Sequence, residues 1–435
     1  MDTATNMATA EIITIGNELL SGRTIDSNAA AAAKVLTELG IAVFRRLSVG
    51  DDVPLIALAL RDAASRADVV IVSGGLGPTS DDLTAAAAAE AFGQELRLLP
   101  EAEAHVRNAF ARRNLPMAAV NLKQAVLPAA AAVLGNPSGT APAFTMEHGS
   151  SLLVFLPGVP HELEALLRER VGPLLRNRFS SQPRPSVTLR LFGIGESMLA
   201  ELLGRLLPPP PWLTLSYLPH FPDLSLILSA REPADQPRLE HHVAKTEALL
   251  GHVVYARGET TLPQVVIDML QREQATVALA ESCTGGLVAK LLTDISGSSC
   301  CVESGAVTYS NAAKTRMLGV PADVIATYGA VSDPVARLMA EGARTRAETT
   351  YGIGITGIAG PSGGTPEKPV GTVFISLAAP EETYVLAFTN NFPTRSAIRY
   401  MAAFRALSAL LQHLKTGAPW IVSPTTADRS ATSTS

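Results

Sequence analysis

Cysteine is scarce in this chain of 435 residues: three are present, Cys283, Cys300 and Cys301. An odd, sparse set containing two neighbours is no disulfide framework, so a reducing compartment, the cytoplasm, is expected. Positive charge is not in excess. The formal net charge is −5, and a dedicated nucleic-acid binder carries a basic footprint that is missing here, so direct contact with nucleic acid is not expected. The small basic cluster between Arg168 and Arg178 reads as a solvated helix face. No uncharged apolar run reaches the length needed to cross a bilayer, and residues 1–10 lack the basic stretch and apolar core of a signal peptide. No repeat of fixed period is visible. What the chain does have is 47% hydrophobic and 17% charged residues, the balance of compact globular domains. Its length suits two or three of them.

Residues 11–16, 41–47 and 69–72 read as strands, and residues 28–39 and 55–65 as helices between them. Strands alternating with helices argue for a mostly parallel sheet with helical crossovers, whose ligands sit at the carboxyl ends of the strands. Residues 152–156 form the last apolar strand of this first domain. The proline-bearing segment 181–185 is a boundary. Beyond it, strands at 187–192, 213–217 and 224–229 and a helix at 197–206 predict a small α+β module without obvious chemistry, a spacer or dimerisation element. Residues 257–260 read as a linker. A second α/β domain then opens with a helix at 262–274 and a strand at 276–280 and closes with a helix at 396–415. Residues 416–435, rich in Thr, Ser, Ala and Pro, read as a disordered tail.

Two constellations carry chemistry. In the first, Gly74-Gly75-Leu76-Gly77-Pro78-Thr79-Ser80-Asp81-Asp82 follows a strand and precedes a helical stretch at 83–92. Such glycines let the backbone approach a ligand, and a helix N-terminus favours an anion. Asp81 and Asp82 could hold a divalent cation that also contacts phosphates, or could simply cap the helix. Gly16-Asn17-Glu18, Asp26-Ser27-Asn28, Gly50-Asp51-Asp52, Asn121-Leu122-Lys123-Gln124, Asn136-Pro137-Ser138-Gly139-Thr140 and Pro157-Gly158-Val159-Pro160 occur in register with it. Over residues 10–179 this set resembles the N-terminal domain of the CinA family, which is similar to molybdopterin-binding domains. The resemblance implies a metal-dependent ADP-ribose pyrophosphatase (an ADP-ribose diphosphatase) that yields AMP and ribose 5-phosphate. It implies Asp81 and Asp82 beside the metal, and Glu18, Gly75, Gly77, Thr79, Asn136, Gly139 and Thr140 around the substrate. Asn17 stands where the family often has Thr or another small polar residue.

In the second constellation, Glu281-Ser282-Cys283-Thr284-Gly285-Gly286 lies between a strand and a helix at 287–293. A hydroxyl on such a turn is placed for attack, with backbone N–H groups near residues 284–286 or in a later loop to receive an oxyanion. Serine needs a base, and Lys314, which follows Thr308-Tyr309-Ser310-Asn311, offers one if burial lowers its pKa. The only histidine of this domain, His413, reads as a solvated residue of the last helix. Cys283, Cys300 and Cys301 read as interior packing. Between two further strands lies the Gly-rich loop of Thr356, Gly357, Gly360, Gly363 and Gly364, with Lys368 adding charge that could cradle a phosphate.

Over residues 261–415 these pieces resemble the CinA C-terminal domain, the nicotinamide mononucleotide deamidase (nicotinamide-nucleotide amidase). On that resemblance Ser282 is the nucleophile and Lys314 the base. Thr284, Gly285, Gly286, Tyr309, Asn311, Thr356, Gly357, Gly360 and Lys368 would surround the substrate. No cofactor is expected there. The domains implied are residues 10–179, 186–256 and 261–415, in a homodimer with no membrane attachment. Two alternatives stay open: an N-terminal domain that only binds a molybdopterin-like or nucleotide ligand, and a competence or recombination accessory protein.

Overall fold

The computed structural model describes residues 7–179 and 183–417; residues 418–435 of the expected tail, 181–182 of the expected boundary and 1–6 of the stretch read for a signal peptide lie outside them. The chain divides into two compact units, residues 1–184 and 185–435.

The first unit is built on a six-stranded sheet in the order Ala42–Val49, Thr9–Ile15, Val69–Ser73, Ser151–Leu156, Ala143–His148, Ala132–Leu134. The first four strands are mutually parallel and the last two antiparallel. All residues of Val69–Ser73 and Ser151–Leu156 are buried, because helices cover both faces of the sheet; the continuous apolar runs of the sequence follow from that. Helices Ser27–Glu38 and Pro160–Leu166 pack on one face, and Val53–Ala64, Thr84–Ala91 and Pro100–Arg112 on the other. Asp26 and Asp52 cap two of these helices by accepting from the N–H groups of Ala29 and Leu55. Strand order reverses direction between Thr9–Ile15 and Val69–Ser73, where a doubly wound sheet opens its ligand crevice.

The second unit holds two sheets. The middle module is antiparallel, in the order Leu213–His220, Asp223–Ala230, Ser186–Leu191, Val254–Arg257, with helices Glu196–Leu206 and Gln236–Leu250 against it. It is no detached spacer. Tyr255 and Phe192 join the core of the C-terminal sheet, Phe192 lies 5.8 Å from Phe404, and Phe221 meets Phe392 edge to face at 5.1 Å. The expected linker is likewise held, with the Gly258 N–H donating to the Thr188 carbonyl. The C-terminal sheet runs Val302–Val307, Val277–Glu281, Tyr351–Gly357, Thr372–Ala378, Thr383–Thr389. Its first three strands are parallel, and the rest antiparallel. Helices Leu262–Arg272 and Arg395–Thr416 close one face, and Asp333–Ala347 packs over the other. Two packing expectations are corrected. Cys300 is exposed while Cys283 and Cys301 are buried, and His413 sits half-buried between Tyr351 and Tyr384 at 5.5 and 5.6 Å.

Candidate active sites

Ser282 leaves the buried strand Val277–Glu281 at its carboxyl end, where its N–H donates to Ile355 O on the neighbouring strand. Gly285 and Gly286 then turn the chain with φ of +60° and +88°, values that side chains resist, and the helix Leu287–Thr293 begins. The parallel strand Val302–Val307 leads to the helix Asn311–Leu318, capped by Ser310, and this brings Lys314 back toward the serine. Lys314 is 1% exposed and Ser282 8%. Lys314 Nζ lies 3.0 Å from Ser282 Oγ and 2.8 Å from the Thr308 carbonyl, so both of its partners are neutral. Burial pushes the amine below its ordinary value of 10.5. A neutral Nζ at that distance accepts the serine proton, which is what a nucleophile–base pair requires. Cys283, beside them, is closed to the role: burial pushes its thiol up to about 12.

Four N–H groups at this helix start are already engaged within the protein. The N–H groups of Val288 and Ala289 are taken by the buried carboxylate of Glu281, at 3.1 and 2.8 Å. Those of Gly285 and Leu287 bond the carbonyls of Ser282 and Thr284. Glu281 stood in the sequence motif, but only its adjacency to a helix start could have announced this role.

The expected substrate residues are distributed around the pair. Tyr309 is 62% exposed, and its hydroxyl accepts from Arg395 Nη2 at 2.7 Å. Asn311 is exposed on the first turn of the Lys314 helix. Arg395 Nη1 reaches the Gly360 carbonyl at 2.7 Å, and Arg399 donates from Nε and Nη2 to the Thr284 carbonyl at 3.2 and 2.5 Å. These two arginines, one turn apart at the start of helix Arg395–Thr416, join the nucleophile turn, Tyr309 and the Gly-rich loop. The sequence reading missed them, although an Arg at positions i and i+4 of a helix start is a readable pattern. Thr284 and Thr356 are buried, Thr356 donating to the Ala330 carbonyl at 2.8 Å. Lys368 points to backbone too, with Nζ 3.1 Å from Tyr328 O and 2.7 Å from Val331 O.

In the first unit, two clefts have neighbouring wall residues, Gly74 in one and Gly75 in the other. One, of about 100 Å³, is lined by Glu18, Asp26, Asn28, Ser73 and Gly158 at the strand ends. The other, of about 260 Å³, is lined by Gly75, Gly77, Asp82, Lys123 and Gln124. Neither aspartate caps the helix. Asp82 accepts from the Thr79 N–H and hydroxyl at 2.8 and 2.7 Å, and Asp81 accepts from Ser80 Oγ at 3.1 Å. Lys123 donates to the Thr79 carbonyl. Asn136 is 1% exposed with its amide fully engaged: it donates to the Ala141 carbonyl and Glu162 and accepts from the N–H groups of Ser138 and Gly139. It organises the 136–141 loop rather than facing a ligand. A Cβ at Gly139 would stand 1.9 Å from Glu162 Oε2 and 2.3 Å from Asn136 Nδ2, so a side chain there would displace the Asn136–Glu162 contact. Thr140 accepts from Gln124 at 3.2 Å. Glu18 is exposed and folds over Gly16. Asn17 exchanges hydrogen bonds with Asp51. Among the described residues no group of three or more His, Cys, Asp or Glu side chains could hold a metal ion. One oxygen of each aspartate is engaged internally, Oδ2 of Asp82 and Oδ1 of Asp81.

The fold and these sites define an α/β protein with a molybdopterin-binding type of first unit and a buried serine–lysine pair in the second. The probable molybdopterin binding domain matches residues 11–177, and the CinA C-terminal domain matches residues 259–414. The chain belongs to the CinA-like proteins. It is 44% identical to the CinA-like protein of Citrifermentans bemidjiense over 406 residues, 93% of this chain and 97% of that one. It is 43% identical to a putative competence-damage inducible protein of Symbiobacterium thermophilum, over 85% of this chain and 88% of that one. Among solved structures, competence/damage inducible protein CihA from Agrobacterium tumefaciens is 40% identical and covers 36% of this chain and 94% of that one, with a TM-score of 0.35. Among the described residues no helix is long and apolar enough to cross a membrane.

Proposed function

We propose that the chain is a cytoplasmic, homodimeric hydrolase of pyridine nucleotides whose second unit converts nicotinamide mononucleotide to nicotinate mononucleotide and ammonia. The observation that carries this reading is the buried approach of Lys314 Nζ to Ser282 Oγ at 3.0 Å. Ser282 Oγ attacks the carboxamide carbon while Lys314 takes its proton. The tetrahedral intermediate collapses, Lys314 returns the proton to the departing ammonia, and a nicotinoyl ester on Ser282 remains. Water, deprotonated by Lys314, hydrolyses that ester and regenerates the serine. Arg395 and Arg399, whose hydrogen bonds go to neutral groups, supply cationic charge at the mouth of the site for the ribose phosphate. Tyr309, just before the Lys314 helix, and Asn311, on its first turn, flank it.

For the first unit the reading is cleavage of ADP-ribose to AMP and ribose 5-phosphate, with the pyrophosphate over Gly74-Gly75, the neighbouring wall residues of the two clefts. Because no group of three or more metal-ligating side chains stands among the described residues, a divalent cation would arrive with the substrate's phosphates, beside Asp81 and Asp82. The engaged carboxylates of Asp81 and Asp82 also favour a second reading, in which this unit binds a molybdopterin-like or nucleotide ligand without cleaving it.

The deciding assay is ammonia release from nicotinamide mononucleotide by the purified chain in EDTA, beside AMP formation from ADP-ribose with and without added divalent cation. Ammonia release in EDTA supports the deamidase. No release means that the second unit acts on another amide or only binds. AMP that never forms leaves the first unit a binder.

A further inference from the structure

Four consecutive carbonyls, of residues 328–331, each accept a hydrogen bond from a side chain. They belong to the turn between helices Ala322–Tyr328 and Asp333–Ala347. Lys368 Nζ takes Tyr328 O and Val331 O, Ser332 Oγ takes Gly329 O at 2.8 Å, and Thr356 Oγ1 takes Ala330 O at 2.8 Å. The last carbonyls of a helix lack partners of their own and attract cations, and hydrogen bonds from an ammonium are strong ones. The backbone around Lys368 is shaped to deliver it. The Lys368 N–H donates to Thr365 Oγ1 at 3.1 Å, and the Thr365 N–H returns a bond to Lys368 O at 2.9 Å.

The Gly-rich loop that carries Lys368 follows the strand Tyr351–Gly357, in which the Ile355 carbonyl holds the Ser282 N–H. Its base is closed by Gly371 N to Ile358 O at 2.7 Å, and one flank is fixed by Arg395 on Gly360 O. Residues 361–367 are all exposed, and core packing on that flank resumes only at Val370. Lys368 is the side-chain tie of the exposed stretch.

We infer that Lys368 is a positioning residue that fastens the Gly-rich loop to the 328–331 turn beside the nucleophile, and does not select substrates by their phosphate. This rests on the deamidase reading for its catalytic consequence but not for the tie itself. Without the tie, the loop samples positions that misplace the amide, a displacement that costs on the order of tenfold to a hundredfold in rate.

The test uses the full chain with Lys368→Met, of similar length without charge, and Lys368→Arg. Deamidation of nicotinamide mononucleotide and of nicotinamide riboside, which lacks the phosphate, is compared with amide hydrogen exchange over residues 328–332 and 358–371. The expected result is that Lys368→Met loses kcat/KM by the same factor on both compounds, speeds exchange in both segments, and is largely rescued by Lys368→Arg. A loss confined to the phosphorylated compound, or exchange unchanged in Lys368→Met, overturns the inference. If the wild-type chain turns over one compound or neither, the exchange result alone decides it, and inactivity toward nicotinamide mononucleotide separately defeats the deamidase reading.

Discussion

Lys314 Nζ stands 3.0 Å from Ser282 Oγ, and the two reach each other from adjacent parallel strands, one residue at a strand's end and the other on the helix that follows its neighbour. Each is buried against neutral partners, so the pair works as a unit. Ser282→Ala, Lys314→Met and the double variant are therefore expected to lose deamidation to the same extent, each by a factor on the order of 10⁴ or more, rather than multiplicatively. Steady-state ammonia release on variants with wild-type circular dichroism checks this. A double variant far below both singles would show that the two residues act separately.

The lowered Lys314 pKa has two consequences with opposite visibility. On the deamidase reading the reaction needs the neutral amine, so the wild-type rate is expected to climb with pH up to that lowered value and then level. For stability, the unfolded chain titrates this lysine near 10.5 and the folded chain below it, so between the two values the unfolded state holds more protons. Stability rises with pH across that window and carries a constant penalty beneath it. Lys314→Met removes the penalty. It is expected to be inactive yet more resistant to urea than wild type at neutral pH, with the advantage shrinking as pH approaches 10.5. Urea midpoints at matched pH measure this, and a Lys314→Met chain less stable than wild type at neutral pH would contradict it.

Much of this was legible before any coordinates. The strand-to-helix position of Ser282 and the helix start bearing Lys314 follow from apolar runs, paired glycines and the polar residues that end a strand, all local signals. The core strands at 69–73 and 151–156 were legible because both faces are covered and the runs are continuously apolar. Contacts that depend on long-range return of the chain were not legible. Arg395 lies 86 residues from the Tyr309 it bonds, and nothing near it in sequence marks the pairing. Asn136 was misread for the same reason: a pocket asparagine and a loop-organising one look alike until Glu162, 26 residues on, fills its amide. The link of the middle module to the C-terminal sheet runs through scattered aromatics, Phe192, Phe221 and Tyr255, that no pattern distinguishes.

Arg395 ties the Tyr309 hydroxyl to the Gly360 carbonyl with its two terminal nitrogens while keeping its charge unpaired. A guanidinium so placed can turn to a phosphate without leaving a carboxylate behind. Arg395→Met is expected to raise KM for nicotinamide mononucleotide by about tenfold to a hundredfold, the loss of a charge-assisted contact worth roughly 1.5–3 kcal/mol, with little effect on nicotinamide riboside. Lys368→Met, in contrast, should act on both compounds alike. Equal losses on both in Arg395→Met would remove the phosphate role from this arginine.

Glu281 bears on stability and catalysis together. Its carboxylate, 1% exposed as part of the residue, fills the N–H groups of Val288 and Ala289, which the left-handed turn at Gly285 and Gly286 leaves without intrahelical partners. A negative group at a helix N-terminus is favourable, and the same contact fixes the angle at which the strand hands Ser282 to the turn. Glu281→Ala strands two buried donors, at about 1–3 kcal/mol each. Glu281→Gln keeps one acceptor but sets an NH₂ group against one of the two N–H groups. The expected order of urea midpoints is wild type, then Gln, then Ala, at constant m-value, while Ser282→Ala stays near wild type. Deamidation should fall in the same order, because the displaced turn carries the nucleophile away from Lys314. Glu281→Ala with an unchanged midpoint and reduced rate would instead assign the carboxylate a direct part in the chemistry. Unchanged values of both would mean that water replaces it at the helix end.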